Sequence, residues 1–282
     1  MIKTILSFCT ISGFLMTACA QRTQIIFRGD DMGFSHAANV ACIDAYQKGV
    51  VRSVEVIVPG PWFEEAVKLL EQNPNLDVGV HLDLSSEWSN IKWRPITSAP
   101  SLVDENGYFY PKIRPDERYP NQALMDHKWD IMEVEAELRA QIEPALKRIP
   151  QVSHLTGHMG CMGINDQTMD LMIRLAEEYG LVIFPQNEGV ENLPRWTGNE
   201  FSEQEKMSRL IDVLKNLKPG KYLTVTHPAY LTAETESIYH IGYENVGEDR
   251  DGETKVLISK DIKKLIDELD IDVIGYNDLL KD

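Results

Sequence analysis

Cysteine, basic side chains and long apolar runs are all scarce in this chain. Of its 4 cysteines in 282 residues, Cys9 and Cys19 fall at the N-terminus and only Cys42 and Cys161 remain to pair, so a disulfide scaffold is excluded. Cys42 lies in a helical pattern and reads as core filler, since a free cysteine behaves as a small buried hydrophobe. Lys and Arg number 28 against 44 Asp and Glu, a formal charge of −16. That balance excludes a nucleic-acid partner, which needs a basic footprint, and suits a neutral substrate. Beyond the N-terminus no stretch is long and apolar enough to span a bilayer. There is no internal repeat, no low-complexity linker and no Gly-rich phosphate loop, so nothing marks a second domain or a phosphoester site.

What is present begins with a leader. Lys3 precedes an apolar stretch at 5–16, too short to cross a membrane, and the small residues Thr17 and Ala18 precede Cys19. This resembles a bacterial lipoprotein signal, with Met16 where Leu is usual. The resemblance implies a signal peptide over 1–18, a lipid on Cys19 facing the periplasm or exterior, a tether over 19–24, and membrane attachment by that lipid alone. An ordinary cleaved signal with an incidental cysteine is the alternative, and either one exports the chain.

From residue 25 onward short apolar runs alternate with amphipathic stretches. Strands are predicted over 25–28, 50–59, 76–84, 152–158, 181–185, 222–227 and 272–276. Helices are predicted over 36–48, 62–72, 131–148, 166–179, 202–217 and 261–269. Ser35 reads as an N-cap, and Gly49 and Gly180 as helix stops. Alternation of this kind implies an α/β fold with a parallel sheet and right-handed crossovers. Seven strands point to a (β/α) barrel, closed or nearly so, forming one domain over 25–282. The aperiodic piece 85–128 is a loop insertion on the rim, rich in aromatics and placed to shape a substrate cleft.

Polar groups sit where apolar strands should end: Asp30 and Asp31 in IIFRGDD, His81 in LDVGVHLDL, His158 in VSHLTGHMG and His227 in YLTVTHPAY. In a barrel these ends converge on one rim, and carboxylate and imidazole from separate strands suit a hydrolytic divalent-metal site. Each has a plainer reading alone: a capping acid, a satisfied core histidine, an exposed loop histidine. Together they point to chemistry. His81 shares strand parity with Gly79 and Asp83, a polar stripe out of place in a simple core. His154 lies deeper on the same face as Thr156 and His158 and reads as a supporting or packing residue.

FRGDDMGFS, VGVHLDLS, SHLTGHMG and THPAY, in this order and spacing, resemble the YdjC-like carbohydrate deacetylases, relatives of the NodB-type polysaccharide deacetylases. The resemblance runs from residue 25 to the closing IDVIGYNDL segment. It implies a (β/α) barrel that removes N-acetyl groups from oligosaccharides with one divalent metal ion, zinc or magnesium. Carried over by position, Asp31, His81 and His158 are the ligands, Asp30 is the general base, and His227 is the acid or substrate-positioning group. The chain departs from the pattern at Thr156, where Asp is common, at Met159–Cys161, where a His-rich run is common, and near the fifth strand, where an Arg is missing. Two other readings compete: a different metal-dependent barrel hydrolase (an amidohydrolase or phosphoesterase), and a non-catalytic glycan-binding lipoprotein using its tryptophans.

Overall fold

Seven strands form, and every paired strand is parallel to its neighbour. The computed structural model describes residues 22–279; the expected signal peptide and Cys19 lie outside them. The elements are β1 (Gln24–Met32), α1 (His36–Gln47), β2 (Ser53–Val56), α2 (Phe63–Glu71), β3 (Asp77–Leu82), α3 (Ile131–Arg148) and β4 (Val152–Gly157). There follow α4 (Asp166–Tyr179), β5 (Val190–Asn192), α5 (Glu203–Asn216), β6 (Lys221–Thr226), α6 (Val246–Leu257), α7 (Lys260–Glu268) and β7 (Asp272–Val273). Ser35 caps α1 by accepting from the Ala38 amide, and Gly180 ends α4 in a left-handed conformation with φ 68°. No helix among the described residues is long and apolar enough to cross a membrane.

Of the barrel expected to be closed or nearly so, the parallel (β/α) sheet forms but the closure does not. The sheet runs β4-β3-β2-β1-β6-β5, with β7 on β1, and curls into a half-barrel whose two ends, β4 and β5, do not meet. The reason lies in the run 181–185, read from sequence as the fifth strand. Val182 makes one bridge to His154, and Pro185 then opens a 3₁₀ turn. A proline has no amide hydrogen to continue a ladder, so pairing stops there. The strand that does form, β5, lies further on and pairs with β6 instead.

The outward face of the sheet, with Phe27, Val54, Val56, Val78, Val80 and Leu155, packs against the helices in the main core. The inner face is different. Its floor is a small apolar cluster of Ile26, Val190, Leu223, Tyr276 and Leu279, and above it the interior is polar. Near the rim β1 carries a bulge: its register against β2 slips between Gly29 and Met32, and Asp31 has φ 68°. An extra residue in a strand re-aims the side chains around it. This is how adjacent residues Asp30 and Asp31, which a regular strand would send to opposite faces, come to share the mouth.

Candidate metal centre

Asp30 and Asp31 from β1, His81 from β3 and His158, just past β4, meet at the C-terminal rim, and each is only 2–4% exposed. Asp31 Oδ1 lies 3.5 Å from His81 Nε2 and 3.2 Å from His158 Nδ1. Asp31, His81 and His158 each turn one ligand atom into a space where all three lie within 4.8 Å of one another. Asp30 stands beside this group, its Oδ2 3.6 Å from His81 Nε2.

The donor set fits a divalent cation. Asp31 Oδ1 is buried with no hydrogen-bond partner, an arrangement that is costly unless something positive faces it. Burial, aided by the neighbouring His158, pushes His81 down to about 3, so its ring is neutral as a ligand must be. Burial would also lower His158, but Asp83 and Asp31 outweigh it and hold that imidazole well above its usual range. Burial would raise Asp31, but Arg250 and His158 keep it well below the usual carboxylate range. The cavity therefore recruits positive charge, and a metal ion would take over from the His158 proton. Asp30 differs: burial raises it more than Arg28 lowers it.

Several residues that complete the site were not singled out from the sequence. Arg28, two residues before Asp30 and so on the same strand face, grips it through both nitrogens, Nε to Oδ1 at 2.7 Å and Nη2 to Oδ2 at 2.8 Å. Arg250, from the unforeseen α6, reaches Asp31 Oδ2 at 2.8 Å, with Phe34 and Trp88 each 5.0 Å from its guanidinium. Glu87 holds a positive φ of 34° and sets a carboxylate oxygen 3.4 Å from His158 Nε2, too poorly aligned for a hydrogen bond. Its strained backbone at the cavity wall is of the kind that clusters at functional sites.

Below the triad a buried hydrogen-bonded chain fills the half-barrel. His81 Nδ1 lies 2.8 Å from Thr156 Oγ1, and that hydroxyl donates to Glu55 Oε2 at 2.7 Å. Glu55 Oε1 is 2.7 Å from His154 Nε2, whose ring stacks on Tyr276 at 3.8 Å. Burial would raise Glu55, but His154 and Arg28 overcome it and hold the carboxylate at about 2, so it is ionised. His154 is thus a deep supporting residue. Thr156, where a carboxylate is usual in the family pattern, touches one on the next strand but one.

His227 follows β6 and is half-buried, its backbone amide donating to Glu253 Oε2 at 2.8 Å, and a proton on its ring would favour the charged forms of Asp30 and Asp31. The aromatics expected to line a cleft are mostly elsewhere. Trp88, Trp93, Phe109 and Trp196 are 0–4% exposed and belong to the core. Trp93 Nε1 donates to Asp83 and Trp196 Nε1 to Thr224. Of the tryptophans only Trp62, at 37% exposed, is an open surface ring, and Trp129 is half-buried. The insertion does reach the opposite rim loop, where the Ser89 amide donates to the Tyr239 carbonyl at 2.8 Å.

Residues 24–268 match the family described as YdjC-like protein. A carbohydrate deacetylase of Thermus thermophilus is 32% identical over 238 residues, 77% of this chain and 81% of that protein. Another from Listeria monocytogenes is 28% identical over 265 residues, 91% of this chain and all of that protein. A crystal structure from Enterococcus faecalis V583, whose name proposes a role in cellobiose-phosphate cleavage, superposes with TM-score 0.71 at 23% identity. It covers 92% of this chain and 99% of that one, a likeness of fold.

Proposed function

The chain belongs to the YdjC-like protein family, and from that premise we propose that it hydrolyses N-acetyl groups from carbohydrates at a single divalent metal held by Asp31, His81 and His158. The observation that carries this reading is the convergence of three ligand atoms, one of them a buried carboxylate oxygen with no partner, at the rim of the half-barrel. A bound divalent ion there supplies Lewis acidity, polarising the acetyl carbonyl and acidifying a water.

The protein's own groups do the rest. Asp30 takes the proton of the attacking water. Arg28 occupies one lone pair on each of its oxygens, which fixes the carboxylate plane and leaves a further lone pair on each oxygen to accept a proton. Burial raises Asp30 above an ordinary carboxylate, making it a better base. His227 is the candidate to protonate the departing amine, because its backbone is pinned by Glu253 while its ring stays half-exposed. Arg250 and Arg28 keep the two aspartates apart in role: one ionised for the metal, one poised for a proton. Neutral N-acetylated oligosaccharides suit a chain of charge −16.

The test is acetate release by purified, metal-loaded protein across a panel of N-acetylated oligosaccharides, with chelated protein as the control. Acetate release lost on chelation supports the reading. Hydrolysis of a phosphate ester or a cyclic amide with no acetate released would replace it with a different hydrolase. Glycan binding without any turnover would replace it with a binding protein.

A further inference from the structure

We propose that Glu55, acting through the Thr156 hydroxyl, is the positioning residue that holds His81 as the tautomer whose Nε2 lone pair faces the metal; this rests on the triad being a metal site. A threonine hydroxyl has one proton to give. Here it goes to Glu55 Oε2 at 2.7 Å, because an ionised carboxylate can only accept. The same Oγ1 lies 2.8 Å from His81 Nδ1, with only lone pairs left on that side. Nδ1 must therefore carry the ring proton, and Nε2 is left bare, 3.5 Å from Asp31 Oδ1.

The strand register builds this relay. His81 on β3 stands opposite Thr156 on β4, which sets the ring edge against the hydroxyl. Glu55 on β2 stands opposite Gly79, and with no side chain at 79 its carboxylate crosses above β3 to reach Thr156 and His154. His154 occupies the other oxygen at 2.7 Å, so the carboxylate cannot turn away from the hydroxyl. Without the relay either ring nitrogen of His81 can hold the proton, and the form protonated on Nε2 cannot ligate. Hydrogen-bond partners of this kind orient ligating histidines generally; here the carboxylate acts at one remove.

Imidazole ¹⁵N NMR on metal-free protein reads the tautomer, and calorimetric titration with zinc as the probe reads affinity. Wild type and Thr156→Ser should show His81 protonated on Nδ1. Thr156→Val should show mixed tautomers and bind zinc about 10–100-fold more weakly, and Thr156→Ser should recover most of that loss. Glu55→Gln should resemble Thr156→Val; should it fail to fold, the Thr156 pair carries the test alone. His81 protonated on Nε2 in wild type, or a Thr156→Val protein with unchanged tautomer and zinc affinity, overturns the proposal. A tautomer that Thr156→Val disturbs, in a protein that takes up no zinc, supports the relay and overturns the metal reading instead.

Discussion

Gly79→Ala is a one-carbon change with a large expected effect. Glu55, Gly79 and His154 lie in one row across β2, β3 and β4, and the Glu55–His154 contact of 2.7 Å passes over the glycine. A Cβ at 79 would fall onto both the Glu55 carboxylate and the His154 ring. Neither can step aside. Both are 0% exposed, Thr156 holds the second Glu55 oxygen, and Tyr276 stacks on His154 at 3.8 Å. Overpacking of a core costs ~1–3 kcal/mol, and leaving a buried polar group without its hydrogen bond costs ~1–3 kcal/mol. The clash is what breaks the contact, so these do not simply add, and a loss of about 2–3 kcal/mol is expected. Against a typical total of ~5–15 kcal/mol this is a large share. Equilibrium urea unfolding of metal-free wild type and variant measures it. A loss below about 1 kcal/mol would refute the reasoning, because it would mean that the pair does not close over Gly79.

Asp31→Ala, His81→Ala and His158→Ala should each lose bound metal and turnover while far-ultraviolet circular dichroism stays near wild type; unchanged metal content in all three would remove the ligand assignment. Asp30→Asn should keep its metal, measured by elemental analysis, but lose kcat by ~10²-fold or more, and near-normal turnover would leave Asp30 only its ion pair with Arg28. Glu55 titrates at about 2 against an ordinary 4.5, so its stabilising contribution is complete above pH 4.5 and disappears as pH falls toward 2. The stability gap between wild type and Glu55→Gln should therefore narrow through that acid window, and a gap that stays constant contradicts the assignment. Cys19→Ser should release the protein from membranes into the soluble fraction, and persistence in washed membranes would require another anchor.

The triad and Asp30 were legible because each follows an apolar run, and a strand end in a parallel α/β sheet has one direction to point. Helices with an apolar stripe, such as α3 and α4, were equally readable to their ends. α6 was not. Its sequence VGEDRDGETKVL has two glycines and a run of charges, yet Asp249, Arg250, Asp251 and Glu253 are all buried. Those charges all have partners: Asp31 for Arg250, Lys206 for Asp249, Lys255 for Asp251, and a hydrogen bond from the His227 amide for Glu253. A pattern search for apolar periodicity misses a helix whose buried face is held by ion pairs. Arg28 left one signal, its i,i+2 parity with Asp30, and Glu55 another, a lone acid in the apolar run 50–59. The tryptophans misled for the opposite reason: residue type alone does not tell a ring that stacks on sugar from one that fills a loop core. Barrel closure failed at Pro185, where one missing amide hydrogen outweighed an otherwise strand-like run.

The pairing of β1 has a consequence for the order in which this chain can acquire its structure. Among the described residues β1 precedes every other strand, and it lies in the middle of the sheet, between β2 and β6 and with β7 also alongside. Thr226 Oγ1 reaches the Arg28 carbonyl across 198 residues, and Arg28 reaches the Tyr276 hydroxyl across 248. A nascent chain can join β1 to β2 early, but the other edge of β1 must stay open until β6, far along the chain, has emerged. Pairings this distant make folding slow and leave strand edges exposed to wrong partners in the interval. The strand that presents both aspartates is thus made before its partners and completed late, and over that segment the half-built chain depends most on protection from aggregation.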